Sequence, residues 1–136
     1  IMRGDDGFGP MVYDLLAARA GKNFLPLNGG ELPENFTAKI KAFAPDYLLI
    51  ADAAHTSDED SSCGLTVLGE NDIGGAALST HALPLDVMIK FIKQDLPDLQ
   101  IFLNAAPAKN TAFGARPSPQ IKTAAKEAAA AIINLL

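Results

Sequence analysis

With a single cysteine, Cys63, the chain can close no internal disulfide. No charged, apolar and small-residue signal segment opens it either, and these two absences together favour a reducing, cytoplasmic setting. No apolar run approaches the roughly 18 residues that a membrane-crossing helix requires, so membrane insertion is not expected. The eleven basic residues form no stripe, and sixteen acidic ones leave a formal charge of -5. A polyphosphate would meet net repulsion, which argues against nucleic acid as a partner.

Several catalytic signatures are missing as well. There is no His-Glu-x-x-His, no Cys-x-x-Cys and no Gly-x-Ser-x-Gly elbow, which removes the common zinc, dithiol and serine-hydrolase arrangements. Gly4-x-x-Gly7-x-Gly9 departs from the dinucleotide fingerprint, and the carboxylates inside it would repel a pyrophosphate; no organic cofactor is expected. Cys63 has no histidine base close by in sequence, and the neighbouring acidic run Asp58-Glu59-Asp60 would raise its pKa, so a thiolate nucleophile is not expected.

What is present is enough for one folded unit. A length of 136 residues, 49% of them hydrophobic, suits a single domain spanning 1–136. Pro10 suits a first helical position, with Val12, Leu15, Leu16 and Ala20 at helical spacing and Gly21 as a left-handed stop. Asn23 to Leu27 reads as a short strand closed by Asn28-Gly29-Gly30. A helix is expected from Pro33, placing Phe36, Ile40 and Phe43 on one face and ending at Pro45.

Tyr47 to Ala51 is a continuous apolar run, as in a strand covered on both faces, with Asp52 at its carboxyl end. After a polar loop comes a short strand at Leu65 to Leu68, then a helix marked by Leu85, Met88, Ile89 and Ile92 with His81 at its N-terminal lip. Leu99 to Leu103 reads as another buried strand. The loop from Asn104 to Pro117 leads to Ser118 as N-cap, Pro119 as first helical residue, and a stripe of Ile121, Ala125, Ala128, Ile132 and Leu135. Helices alternating with apolar strands predict a three-layer α/β/α domain with a mainly parallel twisted sheet. A strand normally precedes such an opening turn, so a first strand is expected ahead of Ile1 and missing from this sequence.

In that architecture ligands gather outside the carboxyl ends of strands, where Asp6, Asp52 and His81 are all expected. Taken singly, each has an ordinary explanation. An acidic pair before a helix complements its dipole, a carboxylate ending a strand caps or pairs with a neighbour, and a histidine at a helix end is most often a hydrogen-bonded surface residue. Taken together, two oxygen ligands and one imidazole match an open site on Zn²⁺, Ni²⁺ or a similar ion. His55, at the start of a polar loop, is the alternative imidazole.

These residues fall in an order that resembles the NiFe hydrogenase maturation endopeptidases, in particular the branch processing the large subunit of hydrogenase 3 and related formate hydrogenlyase-type enzymes. Ile1 to Pro10 is similar to the end of that family's opening motif, and Asn28-Gly29-Gly30 followed by Pro33-Glu34-Asn35 to its next. Leu49 to Ala53, Ser79 to Leu85, and the group Pro107, Gly114 and Ser118-Pro119 resemble three further motifs.

The resemblance implies an endopeptidase that removes the C-terminal extension of a hydrogenase large-subunit precursor after nickel insertion. Asp6, Asp52 and His81 would be its catalytic and metal-interacting residues, acting on nickel carried by the substrate. Asp5, Gly29 and Gly30 would belong to the substrate cleft. The chain departs from the family in the missing strand before Ile1 and in Asn28, where the family often has an aspartate. Two rival readings are a nickel-dependent checkpoint that holds the precursor without cutting it, and a flavodoxin-like small-molecule binder.

Overall fold

The structure, a computed structural model, describes residues 4–29, 36–55, 65–73 and 85–136, apart from the side chain of His55. Among the described residues three strands, β1 (Tyr47–His55), β2 (Thr66–Gly69) and β3 (Gln100–Ala108), form one sheet in the order β1-β3-β2. β1 and β3 run parallel from the pair Tyr47 and Gln100 to the pair His55 and Ala108. β2 lies antiparallel on the other side of β3, from Thr66 opposite Ala105 to Gly69 opposite Phe102. The longer pairing, β1 with β3, is parallel as expected, and the short β2 makes the sheet mixed; an antiparallel edge strand leaves the same apolar trace in a sequence as a parallel one.

Alternation along β3 divides the core into two layers. Ile101, Leu103 and Ala105 pack with Ile40 of α2 (Thr37–Phe43), Ile73 of α3 (Glu70–Ile73) and Met88, Ile89 and Ile92 of α4 (Leu85–Asp95). Ala106 and Ala108 join Phe8, Val12 and Leu16 of α1 (Phe8–Leu16) and Ile121, Ala125, Ala128, Ala129 and Ile132 of α5 (Pro119–Leu135). The i, i+4 spacing on α1 meets a stripe of alanines on α5, and side chains that small let the two helices come close. Helices on both faces of the sheet make the expected three layers. Among the described residues no helix is long and apolar enough to cross a membrane.

Several boundaries differ from expectation. α1 begins at Phe8, which puts Pro10 third in the helix, where its missing N–H is still one that no helical carbonyl would receive. The helix ends at Leu16 and tightens into a short turn, Ala17–Arg19, and Gly21 does not adopt the left-handed conformation. The Asn23 to Leu27 segment forms no strand; its contribution is a lone bridge between Gly21 and Phe24, and Pro26 has no N–H to extend it. Leu15 and Leu135, counted in apolar stripes, are 46% and 85% exposed.

Two strands outrun their apolar cores. β1 continues four residues past Ala51, so Asp52 sits inside the strand opposite Ala105 and not beyond its end. β3 continues through Asn104 and Pro107 to Ala108, where the sequence suggests a loop. Among the described residues β3 beyond Ala105 is paired with β1 alone, and a strand position without a partner on one side tolerates the N–H that proline lacks.

α2 stops at Ala44, which takes the left-handed conformation (φ 50°) and donates its N–H to the Ile40 carbonyl at 2.9 Å before Pro45. A Cβ in that conformation costs energy that glycine avoids. Ala44→Gly is expected to raise stability by about 0.5–1 kcal/mol, a gain of a few degrees in a thermal melt. An unchanged or lower midpoint would contradict the assigned cap.

Candidate active site

The site is built from the turn that precedes α1. Gly4–Gly7 forms a single helical turn whose first residue has φ 58°, and a side chain on Gly4 would collide with the Asn110 carbonyl oxygen. Glycine is therefore required there on two counts, conformation and space. The Gly4 N–H donates to the Ala115 carbonyl at 2.9 Å and the Asp5 N–H to the Asn110 carbonyl at 2.8 Å. Both bonds tie the turn to the loop between β3 and α5.

The Asp5 side chain completes that tie. It is fully buried, and its Oδ2 accepts from the Lys109 N–H at 2.9 Å and the Asn110 N–H at 3.0 Å. Its Oδ1 accepts from the Ser118 N–H at 2.8 Å. Burial pushes the Asp5 carboxyl up, but the N–H groups of Ser118, Asn110 and Lys109, with help from the Ser118 hydroxyl, outweigh it and hold the group below the ordinary aspartate range. Ser118 also caps α5 by accepting the Ile121 N–H at 3.3 Å. Asp5, grouped with the substrate cleft as a supporting neighbour of Asp6, is thus a brace whose side chain has no exposed surface.

Asp6 is placed between anchored neighbours. Asp5 precedes it, and Gly7 follows with its α-carbon face against the Pro117 ring, 3.8 Å from where a Cβ would stand. Asp6 itself is half-buried, with its Oδ1 shielded from solvent. Three residues after Asp6, Gly9 lies so close to β1 that a Cβ would come within 2.6 Å of the Ala51 carbonyl oxygen. The turn packs against both β3 and β1, the strand that carries Asp52.

Asp52 is half-buried, and its Oδ1 accepts its neighbour Ala53's N–H at 2.9 Å. Its parity along β1 sets it on the α2/α4 side with Ile50 and Ala54. Gly29 is half-buried at the end of a described segment. His81, Gly30 and Cys63 lie outside the described residues, as does the His55 side chain. Among the described residues no three His, Cys, Asp or Glu side chains gather as a metal site would need. Asn104 is a buried polar residue on the central strand opposite Ala51, and its one sequence signal is an asparagine directly after an apolar run.

Residues 12–135 match the HycI family, described as hydrogenase maturation protease. The chain belongs to that family. It is therefore a peptidase by kinship, and relatives of both kinds agree. The Hydrogenase 3 maturation protease of Escherichia coli K12 is 33% identical over 107 residues, 78% of this chain and 67% of that protein. The crystal structure of a NiFe hydrogenase maturation protease, HycI, from Thermococcus kodakarensis has a TM-score of 0.83 at 34% identity, covering 98% of this chain and 85% of that one. The solution structure of the endopeptidase HycI from Escherichia coli has a TM-score of 0.79 at 27% identity, covering 95% and 81%. The family match contains Gly29, Gly30, Asp52 and His81, while the turn carrying Asp5 and Asp6 precedes it.

The brace in this peptidase is testable without substrate. Asp5→Asn keeps the shape but places an amide N–H₂ against backbone donors, which should cost about 2–3 kcal/mol and lower the thermal midpoint by on the order of 5–10 °C. Because the folded pKa is depressed, the stability that Asp5 contributes is present above the unfolded value near ~3.9 and is lost as pH falls through the folded value. The gap between wild type and Asp5→Asn should therefore narrow in acid; a gap that widens below pH ~4 would contradict the assignment. Gly9→Ala should cost about 1–3 kcal/mol, since the neighbour that must yield is a strand backbone. A melt equal to wild type would rule out the close approach.

Proposed function

We propose that this peptidase removes the C-terminal extension from the large-subunit precursor of a NiFe hydrogenase after nickel has been inserted, and that it acts in the cytoplasm. Asp6, Asp52 and His81 engage the nickel that the precursor carries, and Gly29 and Gly30 border the cleft. The observation that best supports this reading is the lodging of Asp6: it stands on a turn immobilised from both sides and pressed against the strand that bears Asp52. The resemblance of this chain to the Hydrogenase 3 maturation protease supplies the substrate class.

The chemistry follows from the donor set. Two carboxylates and an imidazole are suited to a borderline divalent ion, and a partly filled set leaves room for the groups that already hold the ion in the precursor. Binding at the metal then positions the scissile bond, converting recognition of nickel into alignment for attack. Water adds to the scissile carbonyl, the C–N bond breaks, and a proton passes to the departing amine; a carboxylate beside the bond is the natural carrier of that proton.

Intact-mass measurement of a purified precursor tests the proposal. Wild-type protein should shorten the nickel-loaded precursor and leave the nickel-free one at full length. Asp6→Asn, Asp52→Asn and His81→Gln should each remain folded and lose on the order of 10²-fold or more in rate. Equal cleavage by all three variants would reject the assigned residues, and cleavage indifferent to nickel would reject the metal's role.

A further inference from the structure

We propose that the loop between β3 and α5, residues 109–117, is the element that docks the precursor, with Phe113 as its apolar anchor and Lys109 and Arg116 receiving an acidic segment near the cleaved bond. This rests on the proposed function and names the surface that selects the substrate.

The loop is unusual in this chain in three respects. Phe113 is 73% exposed, the most exposed aromatic side chain among the described residues. It stands at the apex of a turn from Ala112 to Ala115, closed by the Ala115 N–H on the Ala112 carbonyl at 3.0 Å, with Gly114 at φ 77° as the third residue. That geometry is a type II turn, which needs glycine at its third position and presents the second residue outward. The charge is inverted too: residues 109–117 contain Lys109 and Arg116, both exposed, and no acid, in a chain whose formal net charge is -5.

The loop is also held in place before anything binds. The Asn110 side-chain oxygen accepts the Ala112 N–H at 3.2 Å, fixing the approach to the turn. The two ends of the loop are held by the Asp5 carboxylate through the N–H groups of Lys109, Asn110 and Ser118, and its middle by the Gly4 N–H on the Ala115 carbonyl. An exposed aromatic on a preorganised turn loses little conformational freedom on association, and phenylalanine and arginine are both enriched where proteins meet. The same bonds that hold the loop also hold the turn carrying Asp6. A peptide seated on Phe113 is thereby indexed to the candidate catalytic carboxylate.

The occupant is a segment of the precursor that pairs an apolar side chain with carboxylate groups, since two cations and an aromatic leave no complementary place for a basic segment. Steady-state cleavage of a purified nickel-loaded precursor, together with fluorescence anisotropy of the labelled precursor binding to the protein, tests this. Phe113→Ala should raise KM and the dissociation constant about 10-fold with kcat within about twofold of wild type, and Phe113→Leu should recover most of the loss. The double variant Lys109→Glu, Arg116→Glu should weaken binding similarly and flatten its salt dependence. These side chains are exposed and the Lys109 N–H is retained, so thermal midpoints should match wild type. Unchanged KM and binding in both variants would overturn the proposal, as would a fall in kcat alone. If wild-type protein binds the precursor but never shortens it, the proposed reaction fails, and the binding arm still decides whether the loop docks it.

Discussion

A carboxylate with no access to water, Asp5, holds this site together. Its two oxygens receive three backbone N–H groups from a loop more than a hundred residues away in sequence, and the charge persists because those donors replace the hydration that burial removed. An absent side chain would leave the same three donors without this partner, and a protonated one would accept from them more weakly. The interaction therefore constrains both ends of the chain at once, fixing the turn before α1 and the start of α5 in one rigid assembly.

Function follows from what that assembly presents. The next residue, Asp6, gains a defined position from the bonds that its neighbour makes. The close approach of Gly9 to Ala51 then sets the turn on the sheet where Asp52 resides. Neighbouring aspartates thus differ in kind: Asp5 is buried and structural, while Asp6 is half-buried and is the one proposed to engage the substrate's metal. On the far side of the brace the same bonds hold an exposed aromatic and two cations, so the Asp6 turn and the proposed docking loop share a single support.

The layer architecture was legible because it depends on local apolar periodicity: Phe8, Val12 and Leu16 on one helix, Met88, Ile89 and Ile92 on another, and the runs at Tyr47 and Leu99. Strand ends were not, because Asp52, Asn104 and Pro107 carry the composition of loops and remain in the sheet only through pairing with a distant strand. The antiparallel course of β2 was hidden for the same reason. Asp5 shows the limit most clearly: its sequence context is that of a dipole-complementing acid or cleft residue, while its partners lie at Lys109, Asn110 and Ser118. Family kinship was legible from the order of several short motifs, none of which would carry it alone.

The ionisation of Asp5 is the most direct test of this account. Following the carboxyl carbon of Asp5 by NMR as pH is lowered in the folded protein should show it still ionised where exposed aspartates of the same chain have already taken up a proton. A carboxyl that titrates at or above the ordinary aspartate value would mean that burial outweighs the three backbone donors, and the brace between the Asp6 turn and the docking loop would not exist as described.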